Sequence, residues 1–351
     1  MVQNKINIPS LLKIGNGKIR KTGKYLRDRN FNRIAIFFSA GIEPLVAAPL
    51  YEGLKEHGIE ICHKAEISDI NIENVVHTAF KIPARTSALL GVGGGKALDY
   101  GKYCAHILGL PYISVPTSVS NDGLCSPNAS LLVGSVRKSV KASIPYGLVA
   151  DLDIIATAPP ATIYSGLGDM VSKVPALWDW KRAFQKKLDT DNDFAALISH
   201  NSVDILYAQR SADIHSREFL YKLTNSLVLS GVAMEIAGSS RPASGGEHLI
   251  SHALDAAATN PRPHGLQVGV AAYLCALLQD NRADIVGGFL LDTGFVDFMS
   301  ENPLDKRDFI TALQKAPSIK PGYYTILSEP DSYARALSLL DSDDILRKII
   351  K

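Results

Sequence analysis

Nothing in this chain supplies a covalent framework. Its 351 residues include four cysteines, Cys62, Cys104, Cys125 and Cys275. None stands in C-x-x-C spacing, which argues against a disulfide scaffold and a cysteine zinc site and fits a reducing compartment. No apolar run approaches the roughly 18 residues of a membrane span. Met1 to Ile14 scatters polar residues where a secretory signal needs an unbroken apolar core. Neither charge is in excess: 37 basic residues against 35 acidic ones give a net +2. There is no block of five or more like charges, so the electrostatic footprint of a nucleic-acid or membrane binder is missing. These absences leave small molecules as the expected partners, the cytoplasm as the expected location and a homo-oligomer as the expected assembly.

What is present is an ordinary globular composition, 46% hydrophobic and 21% charged, in a chain longer than one domain usually is. Two domains around a cleft are expected, residues 1–158 and 159–351. In the first, short apolar runs at Ile34–Phe38, Ile59–His63, Ala88–Val92, Tyr112–Val115 and Gly147–Ala150 read as buried strands. They alternate with helical spacing over Pro44–His57, Ile72–Ile82 and Lys96–Leu108, the pattern of a doubly wound parallel sheet. Ser130 to Val140 reads as a hairpin around Gly134. Past Pro159 the period becomes helical: Phe194–Gln209, Glu218–Ala237, Glu247–Ala258 and Leu266–Leu278, with no convincing strand over Ile163–Asp292. The fold class is therefore a Rossmann-like α/β domain followed by an all-α domain.

Three groups of residues carry chemistry. In "LLGVGGGKALDYGK" a buried strand runs into Gly93, Gly94 and Gly95 and then into a helix near Lys96. Such a turn lets backbone N–H groups approach a diphosphate, and it also serves plain tight packing. Asp99 and Lys102, at i and i+3, read equally as an exposed ion pair or as site residues. "SVPTSVSNDGLCSP" leaves the strand at Tyr112–Val115, on the sheet edge where open α/β sheets bind ligands. It brings Thr117, Ser118, Asp122 and Ser126, although Asn-Asp-Gly is by default a turn. In "SGLGDMVSK", "SSRPASGGEHLISHALD" and "RPHGLQVGV", the residues Asp169, His248 and His264 can supply the roughly three nitrogen and oxygen ligands of a catalytic divalent cation. His252 lies one helical turn from His248. Taken singly, the aspartate could be a helix cap and each histidine a hydrogen-bonded core residue.

From about Gly91 to Gly269 these segments, with "VADLDIIATAPP" and "GLGDMVSKVPALWDWK", resemble in order and spacing the sn-glycerol-1-phosphate dehydrogenase family. Its superfamily includes glycerol dehydrogenase, iron-dependent alcohol dehydrogenases and dehydroquinate synthase. The resemblance implies a dehydroquinate synthase-like fold. It implies Asp169, His248 and His264 as ligands of a metal, usually zinc, with nickel or iron as alternatives. It implies Gly94, Gly95 and Lys96, with Asp99, along an NAD or NADP diphosphate, and Thr117, Ser118 and Ser126 near the nicotinamide. Asp122 would touch substrate, and His252 would sit beside the metal; both are candidates for proton relay and substrate contact, the latter shared with Asp169. Where iron-dependent relatives carry a further histidine ligand, this chain has Lys173, which implies three protein ligands. After Phe38 come Ser39, Ala40 and Gly41, with no acid to hold a ribose and reject a 2′-phosphate, so NADPH is expected beside NADH. Leu266 stands where the family often has an acid.

The implied reaction is reversible reduction of dihydroxyacetone phosphate to sn-glycerol 1-phosphate. Glycerol dehydrogenase is the alternative enzyme. A cyclising synthase of the dehydroquinate type usually has glutamate at the first metal position, so Asp169 counts against it. A binding protein that has lost the chemistry would not be expected to keep every candidate ligand and the glycine turn.

Overall fold

The computed structural model describes residues 6–134, 136–209 and 213–351. The first five residues of the N-terminal stretch, and Ser135 of the expected hairpin, lie outside them. The chain forms two compact units. One is Met1–Pro159 with His215–Glu235, and the other is Pro160–Ile214 with Ile236–Lys351. The helix Arg217–Ala237 thus groups with the sheet unit up to Glu235, well beyond the junction read at residues 158 and 159.

The first unit is built on strands β1 (Leu11–Gly15), β2 (Arg33–Ser39), β3 (Glu60–Ile67), β4 (Ala88–Gly93), β5 (Tyr112–Pro116), β6 (Asn128–Val133), β7 (Val136–Lys141) and β8 (Gly147–Asp151). Six of them form a wholly parallel sheet in the order β1-β8-β5-β4-β2-β3. Both faces are covered. Ile34, Ile36 and Phe38 enter one core with Leu50 and Leu90, while Ala35 and Phe37 enter the other with Val75 and Tyr100. That is why β2 reads as an unbroken apolar run instead of an alternating one. β6 and β7 form the expected antiparallel hairpin, which turns beside Gly134 at φ +62°. The sequence pattern gives no strand at β1. It is an edge strand in which Leu11 alone is fully buried, so it has little apolar pattern to read.

The register levels the carboxyl ends of the central strands. Phe38 lies opposite Val92, and Gly93 opposite Pro116. The end of β2, the glycine turn after β4 and the hydroxyl-rich loop after β5 are thereby brought to one edge, where open parallel sheets take their ligands.

The second unit is helical. Its centre is the helix His264–Leu278, in which thirteen of fifteen residues are buried. An all-round apolar helix has no solvent face to present, so it must be packed about on every side. The helices Pro160–Val171, Gly246–Ala257 and Lys173–Gln185 pack against it, and Gly246–Ala257 also packs on Lys306–Ile319. Among the described residues no helix is long and apolar enough to cross a membrane. All four cysteines are free.

Candidate metal centre and dinucleotide cradle

The helices Pro160–Val171 and His264–Leu278 meet through glycine. A Cβ on Gly168 would collide with the Gly265 carbonyl. One on Gly265 would collide with the Ser165 carbonyl, and one on Gly269 would lie 2.7 Å from the Gly168 Cα. The Gly265 N–H is received by the Ser165 hydroxyl at 3.1 Å. Backbone therefore packs directly on backbone, closer than any pair of side chains allows. This seam sets Asp169, near the end of the first helix, against His264, the first residue of the second. Asp169 is not a helix cap: it lies within its helix and is 1% exposed.

His248 completes the cluster from the helix Gly246–Ala257. Asp169, His248 and His264 each offer a ligand atom, and these atoms all lie within 4.8 Å of one another. His248 Nε2 stands 3.6 Å from Asp169 Oδ1, and the His248 and His264 ring centroids are 5.2 Å apart. Burial pushes the Asp169 carboxyl up, but Lys173, His248 and His264 together draw it well below its ordinary value. Burial alone would lower His248, yet the Asp169 and Glu247 carboxylates raise it to about 9. Lys173 is fully buried with Nζ 3.6 Å from Asp169 Oδ2, so the position that carries a histidine in the iron-dependent pattern is filled by a cation leaning on the aspartate. One carboxylate and two imidazoles are the donor set of a three-ligand catalytic zinc site. The residues present fit such an ion.

The remaining histidine, His252, is exposed and stacks on His264 at 5.7 Å between centroids. It also joins Asp255 and His264 in a looser group of possible ligand atoms. Leu266 is buried in the helical core. Around the cluster stand residues that the sequence pattern did not single out. Ser251 Oγ lies 3.0 Å from His264 Nδ1, and the buried Gln267 amide donates to Asp255 at 2.8 Å. Glu247 Oε1 lies 2.9 Å from His248 Nδ1.

A second buried acid, Asp179, accepts hydrogen bonds from the Gly246 and Ile326 N–H groups and from the Gln279 amide. Burial and then the neighbouring Glu247 push its carboxyl from 3.8 up to about 8. Between those two values the folded protein holds a proton that the unfolded chain has lost, so this group makes stability fall as pH rises through the window and level off above it. Replacing Asp179 with Asn is expected to flatten that part of the profile. Melting temperatures of the metal-free protein and the variant, taken across the window, test this; equal slopes would contradict it.

In the first unit the three glycines divide the work. Gly93 adopts φ +142°, and a Cβ there would strike the Ser39 side chain. Its carbonyl accepts the Thr117 N–H at 3.0 Å, and the Ser39 hydroxyl accepts the Gly94 N–H at 3.1 Å. A Cβ on Gly95 would meet nothing within 4 Å, and one on Gly94 only the Ser118 hydroxyl at 3.8 Å. Packing thus needs Gly93 but neither of the other two, whose missing side chains leave open space at the start of the helix Gly95–Leu108. An open helix N-terminus with glycine at its first positions fits a dinucleotide diphosphate.

Asp99 and Lys102 do pair, but in the interior. Lys102 Nζ donates to Asp99 at 3.0 Å and to the Gly123 and Asn128 carbonyls at 2.7 Å each, and Asp99 accepts the Ser130 N–H at 3.1 Å. The pair ties the glycine-turn helix to the loop carrying Asp122. Ser230 donates to Asp122 Oδ2 at 2.7 Å, and the Ser126 hydroxyl donates to the Asn128 carbonyl. At the end of β2, Glu66 from β3 accepts the Gly41 N–H at 3.2 Å, so a carboxylate does stand beside the acid-free Ser39–Ala40–Gly41 turn. Only the pairing of Phe38 with Glu66 across two strands reveals it.

Residues 13–159 match the model of the iron-containing alcohol dehydrogenase family. The fold recurs in solved structures. That of glycerol dehydrogenase from Schizosaccharomyces pombe superposes with a TM-score of 0.79 at 19% identity, covering 98% of this chain and 91% of the other. That of a probable glycerol dehydrogenase from Sinorhizobium meliloti gives 0.75, also at 19% identity, covering 98% and 99%. In sequence, the glycerol-1-phosphate dehydrogenase [NAD(P)+] of Methanothermobacter thermautotrophicus is 34% identical over 94% of this chain and 95% of its own length. The enzyme of the same name from Thermococcus sibiricus is 41% identical over 69% of each. With a full-length relative above 30% identity and the fold in agreement, the chain belongs to the glycerol-1-phosphate dehydrogenase family.

Proposed function

We propose that this protein reduces dihydroxyacetone phosphate to sn-glycerol 1-phosphate, reversibly, with NADH or NADPH. The observation that carries the reading is the Asp169, His248 and His264 cluster, held by a glycine seam in a chain that matches glycerol-1-phosphate dehydrogenases along nearly its whole length.

In this reading Asp169, His248 and His264 hold one divalent cation, with zinc the best fit to the donors and nickel or iron as alternatives. Such an ion supplies Lewis-acid polarisation of the substrate oxygen. Gly94, Gly95 and Lys96 line the dinucleotide diphosphate at the helix N-terminus, and Thr117, Ser118 and Ser126 serve its nicotinamide end. Asp99 acts from inside the protein, through Lys102, by holding the loop in place. Asp122 contacts substrate with one oxygen steadied by Ser230. His252, exposed beside His264, holds the proton at a ring nitrogen and passes it to the former carbonyl oxygen as hydride reaches the carbon, which completes the product hydroxyl. The division into a nucleotide domain and a metal-binding helical domain, a cytoplasmic setting and a homo-oligomeric assembly belong to the same proposal.

Oxidation of NADH and NADPH, followed with dihydroxyacetone phosphate and separately with dihydroxyacetone across added zinc, nickel and iron, tests it. Turnover is expected with the phosphate ester and little without it. Equal or faster turnover of the unphosphorylated ketone would replace the assignment with glycerol dehydrogenase, and absence of any net cofactor oxidation would remove the redox reading altogether.

A further inference from the structure

The helical unit buries two acidic side chains beside the candidate metal centre that the reaction does not use, Asp179 and Glu247, each 0% exposed. Glu247 Oε1 accepts the Gly245 N–H at 2.6 Å and faces His248 Nδ1 at 2.9 Å, while its Oε2 is buried without a hydrogen-bond partner. Asp179 is fixed from three directions by the Gly246 and Ile326 N–H groups and the Gln279 amide. A Cβ on Gly245 would lie 2.6 Å from Asp179 Oδ2 and 2.9 Å from Glu247 Oε2, so the two acids converge on a point that only glycine leaves free. Burying acids in this way is costly, and helix capping alone does not require it.

A carboxylate oxygen only accepts, so in the contact with Glu247 the proton sits on His248 Nδ1. The other nitrogen, Nε2, is the one that faces Asp169 at 3.6 Å. We infer that Glu247 is a positioning residue for His248: it takes the Nδ1–H, fixes the ring and leaves Nε2 as the nitrogen that ligates a divalent cation. The Gly245 N–H holds Glu247 in the orientation that does this, and the missing Gly245 side chain leaves room for it beside Asp179. The inference rests on the metal-centre reading above. It adds a residue to that centre which touches neither ion nor substrate and acts through the imidazole.

The test compares zinc affinity, by competition with a chelator, in the wild-type protein and in Glu247→Ala, Glu247→Met and Glu247→Gln. The Ala and Met variants lose the acceptor and are expected to bind zinc about 10–100-fold more weakly. Met fills the vacated volume, so the comparison survives if Ala loosens the helix end. Gln keeps an acceptor without the charge and is expected to recover part of the loss. Nitrogen-15 spectra of the zinc-loaded wild type should show one His248 nitrogen protonated and the other metal-bound, a distinction that blurs in Glu247→Met. If the wild type binds zinc and the Met variant binds it equally well with unchanged imidazole signals, Glu247 is a packing group and the inference fails alone. If the wild type binds no zinc, the metal-centre reading fails and takes this inference with it.

Discussion

Replacing His264 with Ala is expected to leave a folded protein that neither retains a divalent cation nor turns over substrate. The cluster offers three ligand atoms, and the neighbouring position holds Lys173, which cannot replace a donor while it leans on Asp169 as a cation. Zinc bound by a full protein ligand set is worth about 10–16 kcal/mol. Sharing that among four ligands puts the loss of one at about 2.5–4 kcal/mol, or about 10²–10³ in affinity. The fold should bear the change well, because His264 is only half-buried and begins its helix directly after Pro263. Metal content after dialysis and cofactor oxidation are the two measurements. A metal-free His264→Ala protein that still turned over would remove His264, and with it the cluster, from the chemistry.

The second large effect is expected from a single methyl group placed outside the ligand set. In Gly265→Ala the new Cβ collides with the Ser165 carbonyl, which belongs to a helix and cannot swing aside as a side chain would. Overpacking of this kind costs about 1–3 kcal/mol or more, which for a unit of this size lowers the melting temperature by about 2–4 °C per kcal/mol. Relief can come only from parting the two helices, and these carry Asp169 and His264 respectively. A displacement of about 1 Å at reacting groups costs about 10²-fold in rate. The variant should therefore lose both stability and metal affinity. Gly288→Ala is the matched control: Gly288 lies within the helix Ala283–Asp292, and a Cβ there meets nothing within 4 Å. That change should stabilise by about 0.4–1 kcal/mol. Thermal unfolding and zinc competition on both proteins decide the matter; a Gly265→Ala protein that behaved like Gly288→Ala would mean the seam is looser than its atoms imply.

Where burial imposes a period, the fold was legible residue by residue. Ile34 to Phe38 lies inside the sheet, paired on both sides and with apolar matter on both faces, so every position is constrained and the run stands out. Leu11 to Gly15 lies at the edge with one residue fully buried, and β1 left almost no pattern. In the candidate site, Asp169, His248 and His264 were legible because the resemblance fixed their order and spacing; alone, each had a bland alternative. Glu247 was not. It precedes His248 directly, and adjacent residues do not share a helical face, so helical periodicity gave no reason to join them. Gly168 and Gly265, 97 positions apart in the numbering, announced only a lack of side chain, and what that lack permits depends on which backbone arrives opposite. Glu66 was hidden for a related reason: it reaches the end of β2 by strand pairing rather than by succession along the chain.

The glycine seam also limits how the proposed centre can be retuned. Between ordinary packed helices the spacing of two ligands can drift in small steps as a leucine gives way to a valine or a methionine. Between Asp169 and His264 there is no such dial, since the atoms that keep the helices apart are peptide groups common to every residue. In the proposed centre a change of ion preference is therefore expected on the third side, where His248 Nδ1 meets Glu247 and a side-chain exchange can still shift a nitrogen.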